Sequence, residues 1–374
     1  MSEPIDESRR TRSATGSTIG TAGSATTAPR PAPVAILIVT HDDAGDLPAC
    51  LAAIAALSPP PAELVVVDCA SGDDSAAVAR RHWPGGLAGE VVPLSENRGF
   101  AGGMNAALAK SRAPWVLTLN ADARPSRGYL QHLLARGDST VPDGVASRAA
   151  VDEVTAVPGS SLRVGAVTGR LVRPAGADGT RRLDACGMRL TPAWRHHDRG
   201  SGALDRGQFA RPQRVFGGTG AATLWRREAL LDVAIDGEVF DERFHSFRED
   251  AELCFRLRER RWEVLYEPAA ICEHRRVNLP SRRAAMSPAV NRHSLKNRYL
   301  LRLYHQTLGN LIWTLPFALG RDLQALSWVL LFERSSLPAY RWLWTHRREL
   351  LARRRAIQSR RTAGWWEVEL WFLR

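Results

Sequence analysis

The chain has 374 residues, of which 44% are hydrophobic, enough for a packed core and too many for a disordered protein. Its formal net charge is +12, and half of that excess lies in residues 333–374, which hold ten Arg and four Glu. The five cysteines, Cys50, Cys69, Cys186, Cys254 and Cys272, form no C-x-x-C pair and no zinc-finger spacing, so a reducing cytoplasm is expected. Residues 1–33 are rich in Ser, Thr, Ala, Gly and Pro and lack an apolar segment. They read as a disordered arm and not as a secretory signal.

The apolar run 34–40 (V-A-I-L-I-V-T) suits a strand buried on both faces, followed by a polar turn and an alanine-rich helix over 47–57. Residues 63–68 (E-L-V-V-V-D) and a helix over 73–82 repeat the unit. A third short strand at 90–94 precedes N-R-G-F-A-G-G-M-N, whose glycines are expected to form a tight path into a helix at 103–111. A fourth strand over 115–119 ends at Asn120-Ala121-Asp122. Strand alternating with helix predicts an α/β fold with a mostly parallel, Rossmann-like sheet and right-handed crossovers. The polar turns all fall at carboxyl ends of strands, where such sheets collect functional groups.

Residues 135–160 are polar and irregular, 164–172 is strand-like, and 173–212 carries no assignable pattern. A glycine-rich turn from 217 leads into a short strand and a helix. Another helix is expected over 249–260, with Leu253, Phe255 and Leu257 on its apolar side, and a strand over 263–266. Beyond 290 the pattern becomes one of long helices. The apolar stretches 311–319 and 323–332 are divided by Gly320-Arg321-Asp322, which predicts an interfacial or re-entrant hairpin, since each piece falls short of the roughly 20 residues of a span.

Several polar residues occupy positions suited to chemistry. Asp250 opens a helix and His274 follows 24 residues later, so the two bracket a helix and a strand. Asp250 is a candidate general base, with adjacent Glu249 orienting the site; the helix dipole would also favour both acids without any catalytic role. Asp122 and His274 offer an oxygen and an imidazole to Mn2+ or Mg2+, although Asp122 is equally placed to cap a helix. Asp68 is suited either to a base or ribose hydroxyl or to capping. Asn97, Arg98, Gly99 and Gly103 could present backbone N–H groups and a guanidinium to phosphate.

Together these segments resemble glycosyltransferase family 2, in particular its rhamnosyltransferase-like branch of bacterial cell-surface polysaccharide synthesis. The resemblance runs from Val34 to about Arg302. V-T-H-D-D (39–43) and V-D-C-A-S-G-D (67–73) look like the two nucleotide-binding turns, the first contributing Thr40 and His41. E-N-R-G-F-A-G-G-M-N (96–105) looks like a third donor-site segment. N-A-D (120–122) is similar to the metal motif, with Asn120 in place of its first acid, and His41 stands where relatives carry an aromatic ring. G-G-T (Gly217, Gly218, Thr219) resembles the acceptor-side turn, R-E-D-A-E-L (248–253) the segment that supplies the base, and K-N-R (296–298) a further recurrent motif.

The resemblance implies a GT-A fold over 34–290 and a metal-dependent, inverting, single-displacement transfer. The implied donor is a dTDP- or UDP-sugar, dTDP-rhamnose foremost and UDP-galactofuranose as the alternative. The implied acceptor is lipid-linked or a growing cell-wall polysaccharide. A catalytically silent, membrane-associated scaffold is the non-enzyme alternative. No G-x-G-x-x-G follows the first strand, which excludes a nicotinamide dehydrogenase, and no G-x-G-x-R-L turn marks a nucleotidyltransferase.

The basic tail does not point to nucleic acid. Trp313, Trp328, Trp342, Trp344, Trp365, Trp366 and Trp371 lie among Arg and apolar helices, a composition suited to a membrane interface. Residues 291–374 are therefore expected to form a helical, membrane-associating region that holds the protein at the inner face of the cell membrane.

Overall fold

The computed structural model describes residues 30–138, 163–276 and 286–374. Most of the N-terminal arm, nearly all of the irregular stretch 135–160, and 277–285 lie outside them. The first half alternates strand and helix: β1 (Ala32–Thr40), α1 (Leu47–Ala55), β2 (Pro61–Asp68), α2 (Ser75–Arg81), β3 (Ala88–Pro93), α3 (Gly99–Lys110), β4 (Trp115–Asn120), β5 (Ala123–Pro125) and α4 (Tyr129–Gly137). The second half adds β6 (Val164–Val172), β7 (Leu183–Ala185), β8 (Met188–Thr191), β9 (Arg195–Asp198), β10 (Gln213–Val215), β11 (Ala222–Arg226), α5 (Arg227–Val233), α6 (Glu249–Glu259) and β12 (Glu263–His274). Helices α7 (Pro288–His305), α8 (Leu308–Phe332), α9 (Pro338–Thr345), α10 (Arg347–Ser359) and α11 (Trp365–Glu369) complete the chain.

One ten-stranded sheet organises these elements, with a main order of β10-β12-β6-β11-β4-β1-β2-β3. Strands β4, β1, β2 and β3 are parallel, and β11 runs antiparallel between β4 and β6. The chain steps from β1 outward to β2 and β3, then returns to the other side of β1 with β4. This switch point opens a crevice above Thr40 and Asn120, because Val39 and Asn120 are register partners.

Alternation along β1 explains why its sequence is apolar throughout. Ala35 and Leu37 enter the core on one face, while Val34, Ile36 and Ile38 enter the core on the other. Residues of the C-terminal helices join the first of these cores: Leu350, Ile357, Val368 and Phe372 are buried with Leu253 and Phe255 of α6. Helix α6 is buried nearly all round, so its apolar side extends well beyond the three positions read from periodicity.

Two local expectations change. The glycines of 99–103 lie inside α3, not in a loop before it. A Cβ at Gly103 would stand 2.7 Å from the Val39 methyls and 3.0 Å from Cys69 Sγ, so the glycine lets α3 approach β1 and β2. In addition, no hairpin divides 311–332, because α8 is a single 25-residue helix. Asp322 accepts from Arg298 and Arg302 of α7, each at 2.6 Å, so the polar triplet is an inter-helix contact and not a turn. The roughly 1 kcal/mol helix cost of Gly320 is too small to outweigh those ion pairs. Among the described residues, no helix is long and apolar enough to cross a membrane.

Candidate active site

The turns after β1 and β2 brace each other. Asp42 Oδ1 accepts the Gly72 N–H at 2.7 Å, and the Asp42 N–H donates to Ser71 Oγ at 3.0 Å. Ser75 Oγ accepts from the Asp43 N–H and Asp73 from the Ala44 N–H. Asp42 and Ala70 take left-handed backbone angles, φ 60° and 53°, which this bracing stabilises. His41 Nδ1 lies 2.9 Å from the Cys69 carbonyl, which fixes that nitrogen as the donor.

These turns open one wall of a cleft of about 1560 Å³. That exceeds the roughly 300–1,000 Å³ of a site for one small ligand, and leaves room for two substrates. His41, Asn97, Gly99, Asn120, Asp122, Thr219, Glu249, Asp250 and His274 all line it. Six other residues named from the sequence do not. Thr40 is buried and donates to Asp43 at 3.1 Å; Asp68 is buried and accepts from Ser71. Arg98 is a bidentate partner of Glu242, both contacts at 2.7 Å, so its guanidinium serves the α3 junction. Gly217 and Gly218 face inward, where a Cβ would meet Cys254 Sγ and Thr223 Oγ1 at 2.5 Å. Gly103, described above, likewise has a packing role.

Sheet register brings Asp122 and His274 together. β5 pairs with the end of β12, setting Ala123 beside His274. His274 Nε2 lies 3.1 Å from Asp122 Oδ1, and Nδ1 lies 2.7 Å from Asp184 Oδ2. Burial opposes a charge on His274, but the two carboxylates outweigh it and hold its pKa up at about 9. Burial likewise works against the Asp122 and Asp184 carboxylates, and the His274 bond outweighs it, leaving both below the ordinary range. Arg276 binds Asp184 at 3.2 Å and Asp198 at 2.5 Å, which extends the network towards β9. Asn120 Nδ2 lies 3.4 Å from His274 Nε2.

Asp122 Oδ1 and His274 Nε2 thus converge at one point, with Asp184 orienting the ring from behind. Such a carboxylate–histidine pair could hold a metal that draws its remaining ligands from substrate and water. The donor set fits Mn2+ or Mg2+ once the shared proton is displaced. Among the described residues, no group of three or more His, Cys, Asp or Glu is placed to hold an ion by protein ligands alone.

Asp250 stands in the first turn of α6, where Oδ2 accepts the Gly220 N–H at 3.0 Å and Oδ1 the Ala251 N–H at 2.7 Å. Burial raises its carboxyl above the usual range against the Gly220 hydrogen bond, and the charge of Asp198 adds to the rise. Glu249 is more strongly affected: burial and the Asp250 charge push it well up, and its Oε2 has no hydrogen-bond partner among the described residues. The loop before α6 is strained, with His245, Phe247 and Arg248 at φ 62°, 70° and 73°. Asn297 holds it: the side-chain amide donates to the carbonyls of Phe244 (2.8 Å), Ser246 (2.8 Å) and Phe247 (2.7 Å). That gives the K-N-R motif a structural role.

Sequence reasoning missed Asp184, Asp198 and Arg276. The first two lie in the 173–212 stretch, whose strands are only three or four residues long and too short to show a period.

Residues 35–159 match the model of Glycosyl transferase family 2. Together, the fold and this matched segment define a glycosyltransferase domain in this part of the chain. The chain is 39% identical over 131 residues to the succinoglycan biosynthesis protein ExoU of Rhizobium meliloti (strain 1021), a match covering 35% of this chain and 38% of that relative. Among solved structures, Staphylococcus aureus TarS 1–349 in complex with UDP-GlcNAc is similar at a TM-score of 0.50, with 15% identity over 82% of this chain and 78% of that one. GalNAc-T7 with UDP, GalNAc and Mn2+ also reaches 0.50, with 13% identity over 72% of this chain and 47% of that one. At such identities the likeness shows the fold, the GT-A arrangement of glycosyltransferases.

Proposed function

We propose that the whole chain is an inverting, metal-dependent glycosyltransferase that transfers a sugar from a nucleoside diphosphate to an acceptor hydroxyl in polysaccharide synthesis. The observation that carries this reading is Asp250, a carboxylate at the cleft wall with raised basicity, held by Gly220 and facing the same cavity as the Asp122–His274 pair.

The acceptor hydroxyl gives its proton to Asp250 as its oxygen bonds to the donor C1, while the bond from C1 to the diphosphate oxygen breaks. Configuration at C1 inverts, and no covalent sugar–enzyme species is needed. Asp122 and His274 would hold the divalent ion, which when bound stabilises negative charge on the leaving diphosphate. Glu249, whose carboxyl burial and the Asp250 charge push well up, stands beside the base. His41, Asn97, Gly99 and Asn120 would line the donor side and Thr219 the acceptor side.

The relative's name, succinoglycan biosynthesis, supports a polysaccharide acceptor, and the TarS and GalNAc-T7 complexes support a nucleotide-sugar donor with Mn2+. The donor read here is dTDP-rhamnose, with UDP-galactofuranose as the alternative. The chain would act at the inner face of the cell membrane, on a lipid-linked or polymeric glycan. Helix α8 supports this placement, since Leu308, Ile312, Leu331 and Phe332 are each about 70% exposed.

The test is turnover of a panel of dTDP-, UDP- and GDP-sugars with Mn2+ or Mg2+, comparing the parent with Asp250→Asn. Metal-dependent turnover of one donor is expected, reduced about 10²–10⁴-fold in the variant while nucleotide binding persists. Nucleotide binding without turnover, with membrane acceptors supplied, would instead identify a silent scaffold.

A further inference from the structure

One carboxyl of the cleft is left unsatisfied by the fold. Glu249 is 6% exposed and lines the cleft, its Oε2 is buried without a hydrogen bond, and no cation among the described residues pairs with it. A buried polar group in that state destabilises the folded chain, so its presence calls for a partner from outside it. The other acids in the first turn of α6 are satisfied internally. Asp250 accepts from two backbone N–H groups, and Glu252 pairs with Arg256 and His305.

Two residues earlier, Phe247 lines the same cleft with a half-buried ring that has no aromatic partner among the described residues. The segment carrying Phe247 and Glu249 is fixed from three sides. From α3, the Ala101 N–H donates to the His245 carbonyl at 3.0 Å and the Phe100 N–H to Ser246 Oγ at 3.3 Å. From α7, Asn297 donates to the Ser246 and Phe247 carbonyls, and from the turn before β11 the Gly220 N–H donates to Asp250. Ring and carboxyl are therefore presented to the cleft by backbone that is already ordered, which lowers the entropy cost of binding.

We propose that Glu249 and Phe247 form the acceptor subsite and that the acceptor is a sugar ring: Glu249 hydrogen-bonds a hydroxyl next to the one that Asp250 deprotonates, and Phe247 packs on the C–H face of the ring. The inference rests on the glycosyltransferase reading above and deepens it by assigning the acceptor a pair of neighbouring hydroxyls. Position favours the acceptor over the donor. Glu249 adjoins the proposed base, which is bonded to the Thr219-Gly220 turn, whereas His41, Asn97 and Asn120 belong to the ends of β1, β3 and β4. Chemistry favours a hydroxyl, because a carboxylate accepts from one and a carboxylic acid also donates to it. An aromatic ring beside a few polar groups suits a ligand with C–H faces and hydroxyl edges.

The experiment compares the full-length parent with Glu249→Met, a change close in size, using the donor and metal selected by the panel above. Octyl glycosides of common hexoses serve as acceptor probes, and donor hydrolysis is measured separately from transfer to the glycoside. Tm of the variant should equal or exceed that of the parent, because the carboxyl has no internal partner to lose. Transfer kcat/KM should fall at least about tenfold more than donor hydrolysis. Among monodeoxy analogues of the best glycoside, the parent should reject one that lacks a hydroxyl beside the attacked position by at least about tenfold, and the variant should lose that discrimination. Phe247→Leu should raise the acceptor KM at least about threefold, and an unchanged KM overturns the ring contact.

The subsite is overturned if Glu249→Met transfers and discriminates like the parent, or if hydrolysis and transfer fall together, which would assign Glu249 to the donor or to holding Asp250. A lowered Tm also overturns it, by showing a structural role. A parent that hydrolyses a donor yet glycosylates none of the probes overturns the sugar acceptor and leaves the donor chemistry standing. A parent that turns over no donor overturns the glycosyltransferase reading, and the subsite falls with it.

Discussion

At the scale of single residues, the cleft separates two carboxyl groups that are neighbours in sequence. Asp250 keeps two backbone donors and its carboxyl is raised above the usual range, while Glu249 has no partner for Oε2 among the described residues and is pushed up further. A base must be deprotonated to act, so activity should rise with pH through the raised Asp250 value. We expect the acidic limb of kcat/KM to lie above the ordinary carboxylate range and to vanish in Asp250→Asn. A pH profile measured at saturating metal checks this, and a limb at the unperturbed value would contradict the burial argument. The place of Asp250 in the first turn of a helix was legible because a helix start is a matter of local sequence. Arg98 and Gly103 were misread as donor contacts. Their residue types suit phosphate binding, but Glu242 and Val39, distant in sequence, occupy the space around them.

At the scale of elements, α7 and α6 hold the site from behind. Loop 244–248 keeps three non-glycine residues in the left-handed region, and Asn297 compensates with three carbonyl contacts. Removing the amide in Asn297→Ala leaves buried carbonyls unsatisfied, at about 1–3 kcal/mol for each such group. The expected result is a lower Tm and a fall in kcat larger than any change in nucleotide affinity, since the loop aims Asp250 without touching the nucleotide turns. Equal losses in both would show a merely structural role.

Helix α6 also contains a buried charge network: Glu252 meets Arg256 at 2.7 Å and His305 Nε2 at 3.5 Å, and His305 Nδ1 meets Glu259 at 3.1 Å. Burial opposes the Glu252 charge, but Arg256 and His305 hold its pKa down to about 2. Its stabilisation is therefore complete above the unfolded value near about 4.3 and is lost as pH falls towards 2. His305 is raised despite burial, by Glu259 and Glu252, so its share is present at low pH and lost as pH rises through the raised value. Glu252→Gln should cost about 3–5 kcal/mol near neutral pH. Thermal melts of parent and variant should converge between pH 4 and pH 2; a constant gap would refute the linkage.

At the scale of the whole molecule, the C-terminal helices contribute to the same core as the sheet and also carry an apolar outer surface. Phe372 packs against Trp194 with ring centroids 4.9 Å apart, and Trp194 donates to Asn310 at 2.8 Å, so truncating this region would open the core. A less disruptive test of membrane association replaces exposed α8 residues, as in Ile312→Glu/Phe317→Glu/Leu323→Glu. Co-sedimentation with anionic vesicles should fall at least about tenfold, because each substitution removes apolar insertion and adds repulsion. Tm should hold, since these side chains are more than half exposed. Unchanged partition in a folded variant would remove the membrane from the reading.

The alternation of strands and helices from β1 to β4, the covered parallel sheet and the acids at strand ends follow from the sequence alone, because apolar runs and helical periods are local properties. Runs such as V-A-I-L-I-V-T can satisfy both faces only inside a sheet. Three features depended on tertiary structure. β5, β7 and β12 meet by long-range register, which places Asp184 behind His274. Asp322 turns a polar triplet into an inter-helix contact. Arginines from β8, β9, α7 and α8, far apart in the chain, line one cleft. Each is a juxtaposition of segments that only chain folding brings together, and no local period records which distant partner a side chain will meet.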